Sequence, residues 1–259
     1  LSGSFVKGAD FDRDGDIDLL VGGRVLPYQY PKPVITVVLE NKSSKGNVKF
    51  EIANEKVAPE LNDFGMACDA LWTDFNNDGW VDLIVAGEWM PLRFFINEKG
   101  KLSEITYETG IADKVGWWNS LVSGDFDNDG DIDYIAGNLG LNTFFKVDDQ
   151  NPLSVYAADF DGNKGLDIIP TAFYKNLDGG LDEYPVFGRL DLQKQIIKVK
   201  ADFLKHADFG RATIKDILNP HQIDSALVYR ANYMQSSYIE NIGNNKFKIN
   251  PLPIDCQVA

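Results

Sequence analysis

The sequence predicts a mainly β fold: a partial β-propeller over residues 1–259, with about four blade-like units, acidic loops and a small helical insertion at 189–225. Three observations predict it. A nine-residue acidic pattern occurs four times, short β-rich runs flank each copy, and a second, hairpin-like element recurs further on.

The acidic pattern comes first. Its copies are Asp10-Phe11-Asp12-Arg13-Asp14-Gly15-Asp16-Ile17-Asp18, Asp74-Phe75-Asn76-Asn77-Asp78-Gly79-Trp80-Val81-Asp82, Asp125-Phe126-Asp127-Asn128-Asp129-Gly130-Asp131-Ile132-Asp133 and Asp159-Phe160-Asp161-Gly162-Asn163-Lys164-Gly165-Leu166-Asp167. Oxygen-bearing side chains stand at positions 1, 3, 5 and 9, with Phe at 2 and an aliphatic residue at 8. These segments hold 16 of the 39 acidic residues, and removing those carboxylates turns a formal charge of −14 into +2. The acidity is local, as a set of cation sites requires.

Calcium explains the spacing, because it takes about six to eight hard oxygen ligands. Alternate side chains of a tightly curled loop converge on one point, and the backbone carbonyl of position 7 fills a further place. Gly at position 6 permits the positive φ of the curl. The ligand set is then Asp10, Asp12, Asp14, Asp16 and Asp18; Asp74, Asn76, Asp78, Trp80 and Asp82; Asp125, Asp127, Asp129, Asp131 and Asp133; and Asp159, Asp161, Asn163, Gly165 and Asp167. Up to four Ca²⁺ ions are implied. Loop four is the weakest, because Lys164 replaces Gly. Asp/Asn/Gly clusters also make plain turns, but four copies in register argue against that. Phe and the aliphatic residue are expected to point away from the ion and anchor each loop in the core.

The flanks decide the fold around the loops. An EF-hand needs Glu at position 12 and helices on both sides; position 12 here is Val21, Val85, Ala136 and Pro170. Runs such as Leu19-Leu20-Val21 and Leu83-Ile84-Val85 follow the loops, and Ala70–Thr73 and Ser120–Val122 precede them, so each loop joins two strands. The second element comes next. Val38–Asn41 leads to Val48–Phe50, Phe94–Asn97 leads through Gly100 to Leu102, and Tyr238–Asn241 leads through Gly243 to Phe247–Ile249. Each reads as a hairpin with an Asn/Gly turn. Two loop-joined strands plus one hairpin make a four-stranded blade.

On these residues the chain resembles the FG-GAP (VCBS-type, integrin-α-like) repeat family over about residues 4–188 and 226–252. Segments such as Gly65–Pro91 and Gly116–Asn142 are similar in wording to exported FG-GAP proteins of Bacteroidetes-type bacteria. The resemblance implies a calcium-binding propeller that is exported, at the cell surface, in the periplasm or outside the cell.

The motif starts lie 64, 51 and 34 residues apart. The last interval is too short for four strands, so the third blade is expected to be incomplete or to share strands. Cys256–Ala259 reads as a run into another blade. Leu1–Lys7 lacks the features of a signal peptide, and the chain is expected to come from a longer precursor with further blades. Residues 189–225 break the β pattern: Leu192, Ile196, Val199 and Phe203 form one helical stripe, with Lys194, Lys198 and Lys205 off it. Thr213 with Asp216 resembles a capping box, and Asn219-Pro220 starts a helix. A lid packed on the propeller is favoured over a dedicated partner-binding helix.

No nucleophile, P-loop or dinucleotide motif is present. His206 and His221 are the only histidines and both lie in the insertion, so no catalytic residue is assigned. Cys68 and Cys256, the only two cysteines, pair or stay free. Trp80, Trp89, Trp117 and Trp118 offer either core packing or stacking surfaces for sugars. Tyr28 and Tyr30 are better placed for contact, in a Pro-rich loop. The net charge disfavours nucleic acid and anionic membranes as partners, and no apolar run is long enough to cross a bilayer. The leading reading is a non-enzymatic binding or adhesion module for a protein or glycan. The alternative is an accessory or scaffold part of a polysaccharide-processing enzyme.

Overall fold

The computed structural model describes residues 2–258. In the first sheet, β1 (Ser2–Ala9), β2 (Asp18–Val25), β3 (Val37–Asn41) and β4 (Phe50–Ile52) pair antiparallel in chain order. Loop one joins β1 to β2, and the first hairpin supplies β3 and β4. A short helix, α1 (Asn54–Val57), leads towards the second sheet.

The second sheet repeats this plan with β5 (Met66–Thr73), β6 (Asp82–Met90), β7 (Arg93–Asn97) and β8 (Leu102–Glu104). A two-residue strand, β9 (Gly116–Trp117), pairs with the far end of β6. Every residue of β6 is buried. Its apolar run at 83–87 is what a strand covered on both faces requires.

The third sheet is assembled from distant parts of the chain. It opens with β10 (Ser120–Gly124) and β11 (Asp133–Gly137), joined by loop three. The chain then leaves to build β12 (Leu153–Ala158), β13 (Asp167–Lys175) and β14 (Leu181–Pro185). Five short helices follow: α2 (Arg189–Gln195), α3 (Lys198–Asp202), α4 (His206–Phe209), α5 (Ile214–Ile217) and α6 (Pro220–Ser225). After β15 (Leu227–Ala231) it returns with the hairpin β16 (Ser237–Asn241) and β17 (Phe247–Pro251). Strand β16 pairs with β11, giving the order β10-β11-β16-β17. The unit expected to be incomplete or to share strands is therefore a full four-stranded sheet. The 34-residue interval is short because loop four opens a nested unit before the third sheet has received its own hairpin.

The chain divides into two compact units: residues 1–27, 32–142 and 234–259, and residues 28–31 with 143–233. In the first unit, Phe11, Leu20, Val38, Leu61, Phe64, Leu83 and Phe95 form a core shared by the first two sheets. Phe247 from the third sheet meets Phe94, Phe75 and Tyr134 with ring centroids 4.5, 5.8 and 6.2 Å apart. Asp69 on β5 ties three sheets together: it pairs with Lys7 of β1 at 2.8 Å and accepts the amide of Leu121 of β10 at 2.9 Å.

The second unit holds one sheet, ordered β14-β13-β12-β15, and the helices between β14 and β15. Leu192, Ile196 and Val199 are buried there against Tyr156, Phe160 and Ile169, with Phe203 partly buried beside them. The expected stripe is thus the buried one, but the helix carrying it is broken. α2 ends with extended backbone at Ile196, and α3 restarts at Lys198. Thr213 and Asp216 form the capping box of α5, and Asn219 with Gln222 forms that of α6.

Candidate metal centres

Each acidic loop is curled by its own backbone. The amide of position 5 donates to the position-3 oxygen (Asp14 to Asp12, Asp78 to Asn76, Asp129 to Asp127, Asn163 to Asp161) over 2.9–3.2 Å. The amide of position 7 donates to the position-5 oxygen over 2.6–3.2 Å. Position 6 has φ of 97°, 88° and 98° at Gly15, Gly79 and Gly130, and Lys164 adopts 68° in loop four. Position 4 is also left-handed, at Arg13, Asn77, Asn128 and Gly162. The frequency of Asn and Gly at position 4 is the sequence signal for that second twist.

The curl brings carboxylates of positions 1, 3 and 9 together. Asp10, Asp12 and Asp18, then Asp125, Asp127 and Asp133, then Asp159, Asp161 and Asp167 each present oxygens within 4.8 Å of one another. Asp14 and Asp129 at position 5 stand outside these triads, and Asp14, Asp129 and Asn163 each accept a position-7 amide. Loop two has Asn76 at position 3; its amide donates to Asp78 at 3.1 Å, and Asp74 accepts the amides of Asp78 and Gly79.

Position 9 does more than face the loop centre. Asp18, Asp82, Asp133 and Asp167 are all buried. Asp82 accepts the amides of Asn97 and Phe75, and Asp133 those of Asn241 and Phe126 together with the Tyr238 hydroxyl. Asp18 accepts the amide of Asn41 at 2.8 Å, and Asp167 that of Phe160 at 2.9 Å. The hairpin asparagines then reach across. Nδ2 of Asn97 donates to the carbonyls of Val81 and of Phe11 in loop one, both at 2.8 Å. Nδ2 of Asn241 donates to Phe75 in loop two at 2.9 Å and to Ile132 at 3.4 Å. Loops one and two are thus each clasped to the hairpin of the following sheet. These asparagines are expected from the sequence as turn formers only; their recurrence in three hairpins is the signal for the clasp.

Anchoring by positions 2 and 8 is only partial. Phe11, Phe75 and Phe160 are buried, but Phe126 is 44 % exposed and packs edge-on against Tyr238, and Ile17 is 55 % exposed. Phe11 is covered because Trp72 of the second sheet stacks on it, and Phe75 because Phe94 and Phe247 meet it. Burial of these residues depends on a neighbouring sheet. Cys68 and Cys256 are both free.

The donor set fits a hard divalent cation. Asp10 Oδ1, Asp16 Oδ1 and Asp18 Oδ2 in loop one, and Asp131 Oδ1 in loop three, are buried oxygens with no hydrogen-bond partner among the described residues. Buried anionic oxygens without a partner are costly, and a cation between them removes the cost. Burial, opposed by the amide of Asn41 and reinforced by neighbouring carboxylates, raises Asp18 to about 6. Burial likewise raises Asp82 to about 7, and burial with the charge of Asp129 raises Asp131 to about 6.

These shifts set the pH response of the metal-free protein. Carboxyls with a raised folded-state pKa bind more protons folded than unfolded, so their contribution to stability is lost as pH rises through about 6 to 7. After chelation and desalting, the melting temperature is expected to rise between pH 7.5 and pH 5.5. With calcium present the slope should shrink or reverse, because protons then compete with the ion. A metal-free melting temperature that falls over this window would contradict the assignment.

Residues 74–136 match the family model of the FG-GAP-like repeat. The match spans loops two and three and the hairpin between them, so the chain carries a repeat of the FG-GAP type. Comparison with characterised proteins gives no match. No described helix is long and apolar enough to cross a membrane.

Proposed function

We propose that this FG-GAP-repeat chain is a calcium-stabilised, non-enzymatic binding module. It is exported, acts at the cell surface, and presents its loops and insertions to a protein or glycan. The observation that carries the reading is the set of partnerless buried carboxylate oxygens inside loops one and three. An ordinary Asp/Gly turn satisfies its oxygens with its own amides, whereas these loops keep several anionic oxygens free of amides, a set that suits a divalent cation.

The residues that hold the ions are those of the four acidic loops, with the triads of positions 1, 3 and 9 at the centre and the position-7 carbonyls as further ligands. Bound calcium supplies the positive charge that lets the carboxylates stay ionised while buried. The position-9 aspartates then pass the loop's order on to the hairpins they clasp. This is a structural role for the metal, and it leaves the exposed surface free for recognition.

Ligand charge tunes calcium affinity. Loops one and three, with only carboxylate side chains, should bind tightest, and loop four weakest because of Asn163 and the strain of Lys164 at positive φ, about 1 kcal/mol. Calorimetric titration of the chelated protein should show Asp12→Ala removing a tight site and Asp161→Ala a weak one. Equal losses would refute the ranking, and no calcium uptake at all would refute the reading. A glycan and protein array probed with and without calcium then tests recognition.

A further inference from the structure

We infer that the nested unit, residues 143–233, has a peptide-binding groove of its own along the free edge of β14, and that its partner is an extended, acidic segment of another protein. The inference deepens the binding-module reading and rests on it for the role, but not for the site.

Strand β14 is the outer strand of its sheet. It pairs with β13 on one side, through the register Thr171 to Pro185 and Lys175 to Leu181. On its other side none of its backbone groups has a backbone hydrogen-bond partner among the described residues. A free strand edge is a template for one more strand. Here the edge is neither covered nor flat. Two clefts, of about 700 and 240 Å³, meet at it: Asp182, Tyr184 and Pro185 line the larger, and Leu181, Asp182 and Glu183 the smaller. Their opposite walls come from α4, α5 and the turn between them. Arg189 braces that side, with Nε donating to the carbonyl of Phe203 at 2.6 Å. The five residues of β14 span about 17 Å at about 3.4 Å per residue, room for an extended peptide of similar length.

The chemistry of the lining selects the peptide. Tyr174, Lys175, Tyr184, His206 and Arg211 line the larger cleft, and their side chains have no hydrogen-bond or ion-pair partner among the described residues. All five can donate. Two acids, Asp178 and Asp182, also line this cleft, and Asp182 is already engaged by the Asn176 amide at 2.8 Å. Lys175, Arg189 and Arg211 line the larger cleft against Asp178 and Asp182, in a chain whose net charge is −14. The larger cleft is therefore a locally cationic place that attracts carboxylates in a molecule that otherwise repels them. Exposed leucines on both sides favour a protein partner over a saccharide: Leu177 is 87 % exposed and Leu181 50 % on the hairpin, and Leu190 is 53 % and Leu204 81 % in the insertion. Aliphatic side chains of a peptide can cover such residues; sugar hydroxyls cannot.

The test is selection on the intact chain from a displayed dodecapeptide library, with galacturonate and heparin-derived oligosaccharides assayed in parallel. Enriched peptides should carry Asp or Glu alternating with apolar residues. Their affinity should fall about tenfold or more with Arg211→Glu, an exposed change that leaves the core intact, and should weaken with salt. Tyr184→Ala should weaken binding as well, and bound peptide should perturb the amides of β14. No enrichment, binding indifferent to Arg211→Glu, or binding of the oligosaccharides alone would each overturn the proposal. Calcium uptake measured on the same samples reports on the acidic loops separately, so failure of the groove is distinguishable from failure of the metal reading.

Discussion

Chelating the metal is expected to lower the melting temperature by well over ten degrees. A ligand that binds only the folded state adds about 2.7 kcal/mol per site at a hundredfold excess over Kd. The first unit holds three acidic loops, so the combined effect is about 8 kcal/mol there. For a unit of this size each kcal/mol moves the melting temperature by about 2–4 °C. The structure gives a reason for the effect to reach the whole unit. Asp82 and Asp133 bind loop and hairpin at once, and Asn97 and Asn241 carry the link to the loop before. Thermal denaturation followed by circular dichroism, in calcium and after chelation at pH 7.5, measures the difference. Coincident curves would mean that the loops are ordinary turns.

The second large effect is expected from the asparagine clasp, with calcium saturating. Asn241→Ala removes both donors to Phe75 and Ile132 and leaves a buried carbonyl unpaired. An unsatisfied buried group costs about 1–3 kcal/mol and each lost bond about 1 kcal/mol, so a loss of about 3 kcal/mol and a fall of about 6–12 °C should follow. Asn97→Ala, which loses the bonds to Phe11 and Val81, should behave alike. Asn41→Ala is the internal control. Its side-chain amide reaches only the exposed carbonyl of Ile17 in its own loop, and its loss should cost far less. If Asn41→Ala and Asn241→Ala destabilise equally, the clasp between sheets contributes nothing beyond a turn.

Much of the candidate site was legible because it is local. Nine consecutive residues contain both the ligands and the backbone twist that gathers them, so spacing alone placed Asp10, Asp12 and Asp18 together. The hairpins were legible for the same reason, since Asn97 to Gly100 is a turn whatever surrounds it. The capping box of α5 and the Asn219-Pro220 start of α6 are local as well and were readable too; the Asn219–Gln222 box of α6 was not read. The break between α2 and α3 was not, because the periodicity of Leu192, Ile196, Val199 and Phe203 runs through it. Burying that stripe against Phe160 and Ile169 takes two short helices rather than one straight one.

What the sequence by itself determined is therefore the repeated loop, the strands on each side of it, and the chemistry of the oxygens it gathers. Tertiary structure alone decided which strand belongs to which sheet. Strand β11 takes β16 as its neighbour across a hundred residues of chain, and nothing in the residues near either strand records that choice. The reason is physical. Loop geometry follows from φ preferences and short hydrogen bonds, whereas strand pairing depends on which apolar faces can be covered together. Phe247 completes the ring cluster of Phe75, Phe94 and Tyr134 only when β17 closes the third sheet. That same packing determines which loop phenylalanines are buried and leaves Phe126 partly in solvent.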